Sequence, residues 1–489
     1  MAKQFSKIRS AAIDGRAHNP FYRKVQLKKL HDKLADHATD IQKAIADDTG
    51  HRPAEVKAEY WLALRCVAES YTSIDPEQHL RDEYAIAASK DAPSAREPVG
   101  IVVIEPTTHT FVFSLLSALS PALAAGNCVI IQVDQTMLKT PRLLLEIVES
   151  ALDRDIVQVT SKKATDSDIG YRHVRVLQNG SPEPQLANHL VSRPEARVVA
   201  VVERDADLEA AAEVLVRARF GLRGKSPYAP DVVLVNEWVK KDFLSAVAQC
   251  SIRFMPDAGD VTPASASRRK EGKGFLDEVA KEGLAKIVSS GAHGSVLEIE
   301  DRGSFVIQRK LRESCLAIHT VTSMDDAIDL SKSLGRLAAS FVFTTTPEAA
   351  KYMCQFLDSD LSFVNQIPAS LLFGPVSPQG KPLDMESFTR YDTPLFTLPK
   401  PQFVSRPVHT RVLDSILRGS SPRDLQRLDD EATARLPEPK RLKKGGDIGF
   451  FSQGIVTGGI VVLSTGVTCA GVLCYYAVKF ARPRLQGLL

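Results

Sequence analysis

The chain is short of several things that would otherwise narrow its chemistry. Its seven cysteines, at 66, 128, 250, 315, 354, 469 and 474, form no CxxC pair, and neither they nor the 11 histidines fall at metal-ligand spacing. That pattern argues against a disulfide framework and a zinc site, and fits reduced thiols facing the cytosol. No apolar signal-peptide core follows Met1. Net charge is scarce as well. The total is +3, and no acidic residue follows Asp447 while Lys479, Arg482 and Arg484 do, so residues 1 to 448 are neutral overall. A body without a basic excess argues against nucleic-acid binding.

Charge is missing altogether from one long stretch, Ile448 to Val478. As a helix, Ile455 to Val478 would be about 36 Å long at about 1.5 Å per residue, enough to cross a bilayer with modest tilt. Phe450 and Phe451 at one end and Tyr475 and Tyr476 at the other would meet the two headgroup regions. Lys440, Arg441, Lys443 and Lys444 precede the span and three basic residues follow it, so the positive-inside rule barely chooses an orientation. The expectation is a tail anchor over 449–479 with the body in the cytosol. The endoplasmic reticulum is the expected membrane, with the peroxisome and the mitochondrial outer membrane as alternatives. Gly454 and Gly458 give one GxxxG spacing, a weak signal for helix pairing.

Upstream, Asn19-Pro20 supplies an N-cap and a first-turn proline, and Leu27, Leu30, Leu34, Ala38, Ile41 and Ile45 recur at helical spacing. This reads as one long amphipathic helix, with His31 and His37 off its apolar stripe. A second helical stretch covers about 54–73, and a polar alternating segment runs to Glu97. Short β-branched runs then alternate with helices: 100–104, 128–133, 156–160, 174–178 and 197–202. Strands in that rhythm imply a doubly wound parallel sheet covered on both faces. A further alternation from Asp231 to Phe343 suggests a second α/β domain. The expected organisation is a nucleotide-binding-type domain over 1–200, a catalytic-type domain over 201–403, a partly helical linker over 404–448, and the anchor.

Two segments carry a family resemblance. Glu97-Pro-Val-Gly-Ile-Val-Val-Ile104 and Pro121-Ala-Leu-Ala-Ala-Gly-Asn-Cys-Val-Ile-Ile131 resemble the first nucleotide-domain strand, helix and second strand of aldehyde dehydrogenases. Asp205-Ala-Asp-Leu208, then Arg223-Gly-Lys-Ser-Pro-Tyr-Ala-Pro-Asp231, resemble that family's catalytic-loop segment. Met324-Asp-Asp-Ala-Ile328, Phe373-Gly374 and Ser387-Phe388 follow in matching order, so the likeness covers about 20–400. With the membrane tail it narrows to the fatty aldehyde dehydrogenase branch. The resemblance implies a Rossmann-type nucleotide domain, an α/β catalytic domain, a bridging hairpin near 82–97, and a dimer.

Aldehyde oxidation in that family needs a thiolate nucleophile, donors for the oxyanion, a nicotinamide, and a carboxylate to activate water. Counting back from Ala229-Pro230-Asp231 puts Pro227 at the nucleophile position, where proline supplies neither a thiol nor a backbone N–H. Ser226 is adjacent, but no base that would activate it is evident. The asparagine of the oxyanion hole reads His109. The general-base segment reads Ser192-Arg-Pro-Glu-Ala-Arg-Val-Val199, with Glu195 its nearest carboxylate. By the same resemblance, the glutamate that holds the nicotinamide ribose reads Lys310, with Glu313 as a lesser stand-in. The adenosine-ribose positions read Gln132 and Gln135. The glycine-rich turn reads Asn179-Gly-Ser-Pro-Glu-Pro184, keeping Gly180 but adding Glu183 and two prolines. Cys250 and Cys315 read as small apolar residues.

These substitutions lead to the expectation of a pseudoenzyme: a membrane-anchored scaffold, binding or regulatory subunit, as a homodimer or paired with an active paralogue. No cofactor is expected, and NAD or NADP if any. A long-chain aldehyde or lipid is the candidate ligand. The alternative is an active NAD(P)-dependent oxidoreductase on fatty aldehydes with a rebuilt site.

Overall fold

A computed structural model describes residues 5–181, 186–253, 274–291, 294–407, 410–419, 421–439 and 450–485. The chain divides into two units, Met1–Ser405 and Arg406–Leu489.

In the first unit Asn19 caps the Pro20–Asp36 helix, its Oδ1 accepting from the amides of Phe21 (2.9 Å) and Tyr22 (3.2 Å). The amphipathic stripe continues through Leu27, Leu30, Leu34, Ile41 and Ile45, all buried, but the helix does not run unbroken. It stops at His37, whose φ of −99° and ψ of 20° are non-helical, and a second helix, Ala38–Thr49, begins. Periodicity survives because one irregular residue leaves the buried face nearly in phase. Pro53–Thr72 follows, and then Pro76–Glu83, where the sequence reads only as polar alternation. Residues 82–97 form no hairpin of their own. Strand β1 (Arg96–Pro98) pairs antiparallel with β14 (Thr397–Pro399), a partner about 300 residues away that no local pattern announces.

The doubly wound α/β architecture is present as two sheets. The first holds β2 (Ile101–Glu105), β3 (Cys128–Gln132), β4 (Val157–Thr160), β5 (His173–Leu177) and β6 (His189–Val191) in the order β4-β3-β2-β5-β6, all parallel. The second holds β7 (Val198–Val202), β8 (Val232–Asn236), β9 (Ala285–Ser290), β10 (Ser295–Ile299), β11 (Cys315–Val321), β12 (Ala339–Phe343) and β13 (Ser362–Val364). Its order is β13-β12-β7-β8-β11-β10-β9, with only β9 antiparallel to its neighbour. The 197–202 run pairs in this second sheet, so the chain changes sheet between Val191 and Val198, a few residues before the expected 200/201 division. The Phe111–Ala124 helix after β2 is buried along its whole length, which suits a segment with no charged residue and only three serines.

The Ala-Ala-Gly-Asn turn shows why such a motif is tied to this fold. Gly126 sits at φ 93°, and a Cβ there would meet the Ala17 carbonyl oxygen at 3.1 Å. Asn127, fully buried, accepts from the Gly100 amide (2.8 Å) and donates to the carbonyls of Ala122 (3.2 Å) and Phe396 (2.9 Å). One side chain thereby joins the start of β2, the end of the buried helix and the 396 segment.

The second unit contains helices Thr410–Gly419, Pro422–Thr433 and Phe450–Leu485. Within the last, Ser452–Tyr476 has mean hydropathy 1.9 and no buried residue, and is long and apolar enough to cross a membrane. The basic residues of 440–444 lie outside the described residues.

Replacing Asn127 with Asp would keep the acceptor but remove two donations and bury a charge. Asn127→Asp is expected to destabilise the body by about 2 kcal/mol or more, since an unsatisfied buried polar group costs about 1–3 kcal/mol. Denaturant unfolding of the soluble body measures it, and a loss under about 0.5 kcal/mol would show that the junction is dispensable.

Candidate active site

Of the residues singled out in the sequence, His109, Gln132 and Gly180 follow the carboxyl ends of β2, β3 and β5, whereas Ser226 and Pro227 precede β8, and Lys310 contacts Pro227. In the first sheet the chain lays β3 and β4 to one side of β2 and β5 and β6 to the other, so the strand order reverses beside β2. Such a switch point opens the crevice in which α/β sheets bind ligands. His109 lies in the connection leaving β2 into this crevice.

That crevice is spanned by side-chain amides. Gln178, buried at the end of β5, accepts from the Thr107 amide (3.0 Å) and donates to the Ser114 carbonyl (2.9 Å). Asn179 donates to the Pro106 carbonyl (3.2 Å). Gly180 follows at φ 85°, a left-handed conformation that suits glycine. Pro182, Glu183 and Pro184, which complete the altered glycine turn, lie outside the described residues. At the end of β3, Gln132 accepts through Oε1 from the Ala164 amide (2.9 Å), and Gln135 lies exposed beyond it.

His109 is half-buried, and its Nε2 lies 3.1 Å from the Leu372 carbonyl oxygen. A carbonyl only accepts, so this nitrogen must carry the proton. Burial, together with the nearby Lys225 charge, pushes the imidazole down to about 4 against the weaker opposing pull of that hydrogen bond. At neutral pH His109 is therefore an uncharged ring whose single N–H is already given to Leu372. Thr110 follows at φ 44° and accepts through its hydroxyl from the Gly374 amide (2.8 Å). Gly374 itself sits at φ 88°, with Phe113 only 2.4 Å from where a Cβ would stand. The matched Phe373-Gly374 pair thus seats the 372–374 segment on the His109 connection.

Three consecutive left-handed residues, Leu222, Arg223 and Gly224 (φ 48°, 55° and 70°), turn the chain from the Leu208–Phe220 helix into the loop that carries Pro227. Leu222 donates to Glu55 Oε1 (3.0 Å) and Arg223 to the Gly50 carbonyl (2.5 Å). Ser226 and Pro227 are both buried. The Ser226 hydroxyl accepts from the Tyr228 amide (3.3 Å). Asp231 accepts from the amides of Val198 (2.8 Å) and Leu311 (3.0 Å), which fastens the end of the loop to β7 and to the 310 segment.

Lys310 is the largest surprise. The resemblance places it at the position of the glutamate that holds the nicotinamide ribose. Instead its side chain is only 6% exposed, and its ammonium reaches the Pro227 carbonyl (2.7 Å), Asp231 Oδ2 (2.9 Å) and the Ala196 carbonyl (3.1 Å). An ammonium has three N–H donors, and all three are used. Burial lowers the lysine pKa, and Asp231 opposes that fall. Lys310 and Pro227 are thus in direct contact, and Lys225 of the same loop is near enough to His109 for its charge to act there.

Glu195, the carboxylate nearest the water-activation position, and Glu313, the lesser stand-in at the nicotinamide ribose, are both engaged elsewhere. Glu195 is exposed and paired with Arg312. Glu313 pairs with Arg309, which holds it below its ordinary value despite burial, and accepts from the Arg312 amide (3.0 Å). Burial pushes the Cys315 thiol up to about 12, so it is no nucleophile. Among the described residues there is no group of three His, Cys, Asp or Glu that could hold a metal ion.

Sequence reasoning missed the contribution of the Pro53–Thr72 helix. Glu59 is buried at the start of the Phe111–Ala124 helix, accepts from the Val112 amide (3.1 Å), and is pushed up to about 8 by burial against those backbone donors. His51, also buried, is lowered to about 4 by burial, with Glu55 opposing and His109, Arg223 and Lys225 adding to the fall. The only signal available was the polar spacing of Glu55 and Glu59 on an otherwise apolar helical stripe.

This architecture is of the aldehyde dehydrogenase type. The aldehyde dehydrogenase family model matches residues 4–175. Aldehyde dehydrogenase family 3 member B1 of Mus musculus is 22% identical over 405 residues, covering 77% of this chain and 86% of that protein. Family 3 member A2 of the same species is 21% identical over 378 residues, covering 72% and 77%. Among solved structures, the substrate-bound Staphylococcus aureus AldH superposes with a TM-score of 0.67 at 17% identity, covering 88% of this chain and 98% of that one. The chain is thus similar to the aldehyde dehydrogenase family over residues 4–175 and, at 21–22% identity, to its family 3 members over most of its length.

The buried ion pair supplies a test. Lys310→Met keeps most of the stem but removes the charge, and is expected to cost about 3–5 kcal/mol, the usual penalty for orphaning one partner of a buried pair. Lys310→Glu, the residue expected in the family, would set a second carboxylate against Asp231 and two carbonyls and should be worse still. If denaturant unfolding placed Lys310→Glu at or above the parent's stability, the loop would not depend on this ammonium.

Proposed function

We propose that this chain is a membrane-tethered, aldehyde-dehydrogenase-like protein that does not oxidise aldehydes and acts as a binding, scaffold or regulatory subunit. A homodimer, or a pair with an active paralogue, is the assembly this reading favours, at the cytosolic face of the endoplasmic reticulum. The observation that carries it is the state of the oxyanion site. Stabilising a tetrahedral oxyanion needs preorganised donors aimed at it. Pro227 has no N–H to give, and the single N–H of neutral His109 is held by Leu372. No thiol stands at the nucleophile position, and the two nearby carboxylates are each tied to an arginine.

The residues do not fit a dinucleotide well. Gln178 and Asn179 span the crevice with bonds of their own, and Lys310 is turned into the protein. An open groove would instead present free amides and a helix N-terminus to the phosphates. The nucleotide-type sheet supports the fold without requiring NAD or NADP.

Purified protein is therefore expected to show no reduction of NAD or NADP with short or long aliphatic aldehydes, followed at the nicotinamide absorbance. Pro227→Cys should restore at most a trace, because catalytic groups act as a unit. Robust turnover by the unmodified chain, lost on changing Ser226 or any one cysteine, would establish the alternative of a rebuilt active enzyme. Thermal unfolding gives a second measurement. A ligand at 100 times its dissociation constant would add about 2.7 kcal/mol, so the absence of a Tm shift at millimolar NAD or NADP is expected, and a saturable rise would refute the cofactor reading.

Tethering is tested separately. Deleting residues 449–489 is expected to leave a folded body that no longer resists carbonate extraction from membranes. Carbonate-resistant association of the shortened chain would count against the anchor.

A further inference from the structure

The unit Arg406–Leu489 exposes apolar side chains well before its long apolar helix. Leu413 and Leu417 on Thr410–Gly419 are 49% and 86% exposed, and Leu425 on Pro422–Thr433 is 49% exposed. Residues 413, 416 and 417 share one face of the first helix at helical spacing, whereas Arg411, Asp414, Ser415 and Arg418 take the other. The two helices meet, with Ser415 donating to Asp424 (3.4 Å), while Ser421 caps the second by accepting from the Asp424 amide (3.2 Å). Their meeting still leaves Leu417 almost fully in solvent. A helical pair that was complete in water would turn that residue inward.

Three features of the unit say what covers this face. The second helix ends at Thr433 and the apolar helix starts at Phe450, so the intervening residues 434–449 reach at most about 55 Å when fully extended, at about 3.3–3.6 Å each. The pair therefore cannot leave the neighbourhood of any bilayer that the apolar helix crosses. Residues 406–448 carry ten Lys and Arg against seven Asp and Glu, with Arg411 and Arg418 on the face opposite the leucines and Lys440, Arg441, Lys443 and Lys444 beside the span in sequence. That balance suits an anionic headgroup layer. A second copy of the chain is the poorer occupant. Three leucines offer a few hundred Å² at most, on the order of a third of the roughly 1,000 Å² that a stable interface needs.

We propose that the Thr410–Gly419 helix lies in the interfacial layer of the same bilayer, with Leu413 and Leu417 towards the acyl chains and Arg411 and Arg418 among anionic headgroups. It gives the protein a second, peripheral membrane contact, and it rests on the reading of Phe450–Leu485 as a membrane span. An amphipathic helix of this kind sits about 5–10 Å into the headgroup and acyl boundary.

The test uses the full chain in phosphatidylcholine–phosphatidylserine bilayers. Both native tryptophans, Trp61 and Trp238, lie in the body and contribute the same background to every variant. Leu417→Trp and Leu413→Trp report the apolar face, and Ser415→Trp reports the opposite one. Brominated lipids should quench the added fluorescence of the first two several-fold more than that of the third, and removing phosphatidylserine should reduce the difference. Equal quenching on both faces, or none on any, would overturn the proposal. So would a blue shift of Leu417→Trp that grows with protein density without bromine quenching, which would assign the face to a second copy. Extraction of the whole chain by alkaline carbonate would instead remove the anchor reading. A chain retained in the bilayer but unquenched at Leu417→Trp would sink only the peripheral contact.

Discussion

One buried ammonium ties together the three segments from which an aldehyde-dehydrogenase-type site is assembled. Lys310 bonds the Ala196 carbonyl in the connection between the sheets, the Pro227 carbonyl in the loop before β8, and the Asp231 carboxylate at the end of that loop. Asp231 in turn holds the Val198 and Leu311 amides, so the lysine and the aspartate form a closed unit that needs no ligand. Loss of either charge would leave the other stranded in a nearly dry environment, where it is expensive. The arrangement of this loop is therefore braced from within. This also makes sense of proline at 227. The loop's hydrogen bonding runs through its carbonyl at that position, so a missing N–H costs the folded state nothing there.

Much of the scaffold was legible because it is locally written. The Asn19 cap, the apolar periodicity through Ile45, the β-branched runs that became β2 to β5 and β7, and the Ala-Ala-Gly-Asn turn are short patterns whose physical reason lies within a few residues. What escaped were long-range partners and small breaks. A run such as Val198–Val202 reads as a buried strand in either sheet, and only its pairing with β8 and β12 decides which. Arg96–Pro98 is too short and polar to read as a strand until Thr397–Pro399 lies beside it. The interruption at His37 shifts the helix by one residue, which is less than periodicity can detect.

The site was legible by position but not by role. Alignment to the family motif placed Lys310 where a ribose ligand would be held, yet a lysine stem can direct its charge inward or outward, and the sequence does not say which. The deciding acceptors, Ala196, Pro227 and Asp231, are 79 to 114 residues away. His109 shows the same limit. Its place at the oxyanion position follows from order along the chain, but its inability to donate follows from Leu372, 263 residues on.

These internal bonds bear on what the site has left to offer a ligand. A catalytic or cofactor site must keep polar groups preorganised and unpaired until its ligand arrives, and that readiness is a cost that the rest of the fold carries. Here the groups that could have waited for a ligand are spent within the protein. Lys310 uses three donors, His109 its one N–H, and Gln178 both ends of its amide, while Gln132 gives its carbonyl to Ala164. Satisfying buried polar atoms internally stabilises the fold by removing desolvation penalties of about 1–3 kcal/mol each. The same bonds would have to break before a cofactor or an oxyanion could take their place. The stability of this loop is thus drawn from the same groups that a ligand would have to recruit, so binding there would be opposed by the fold itself.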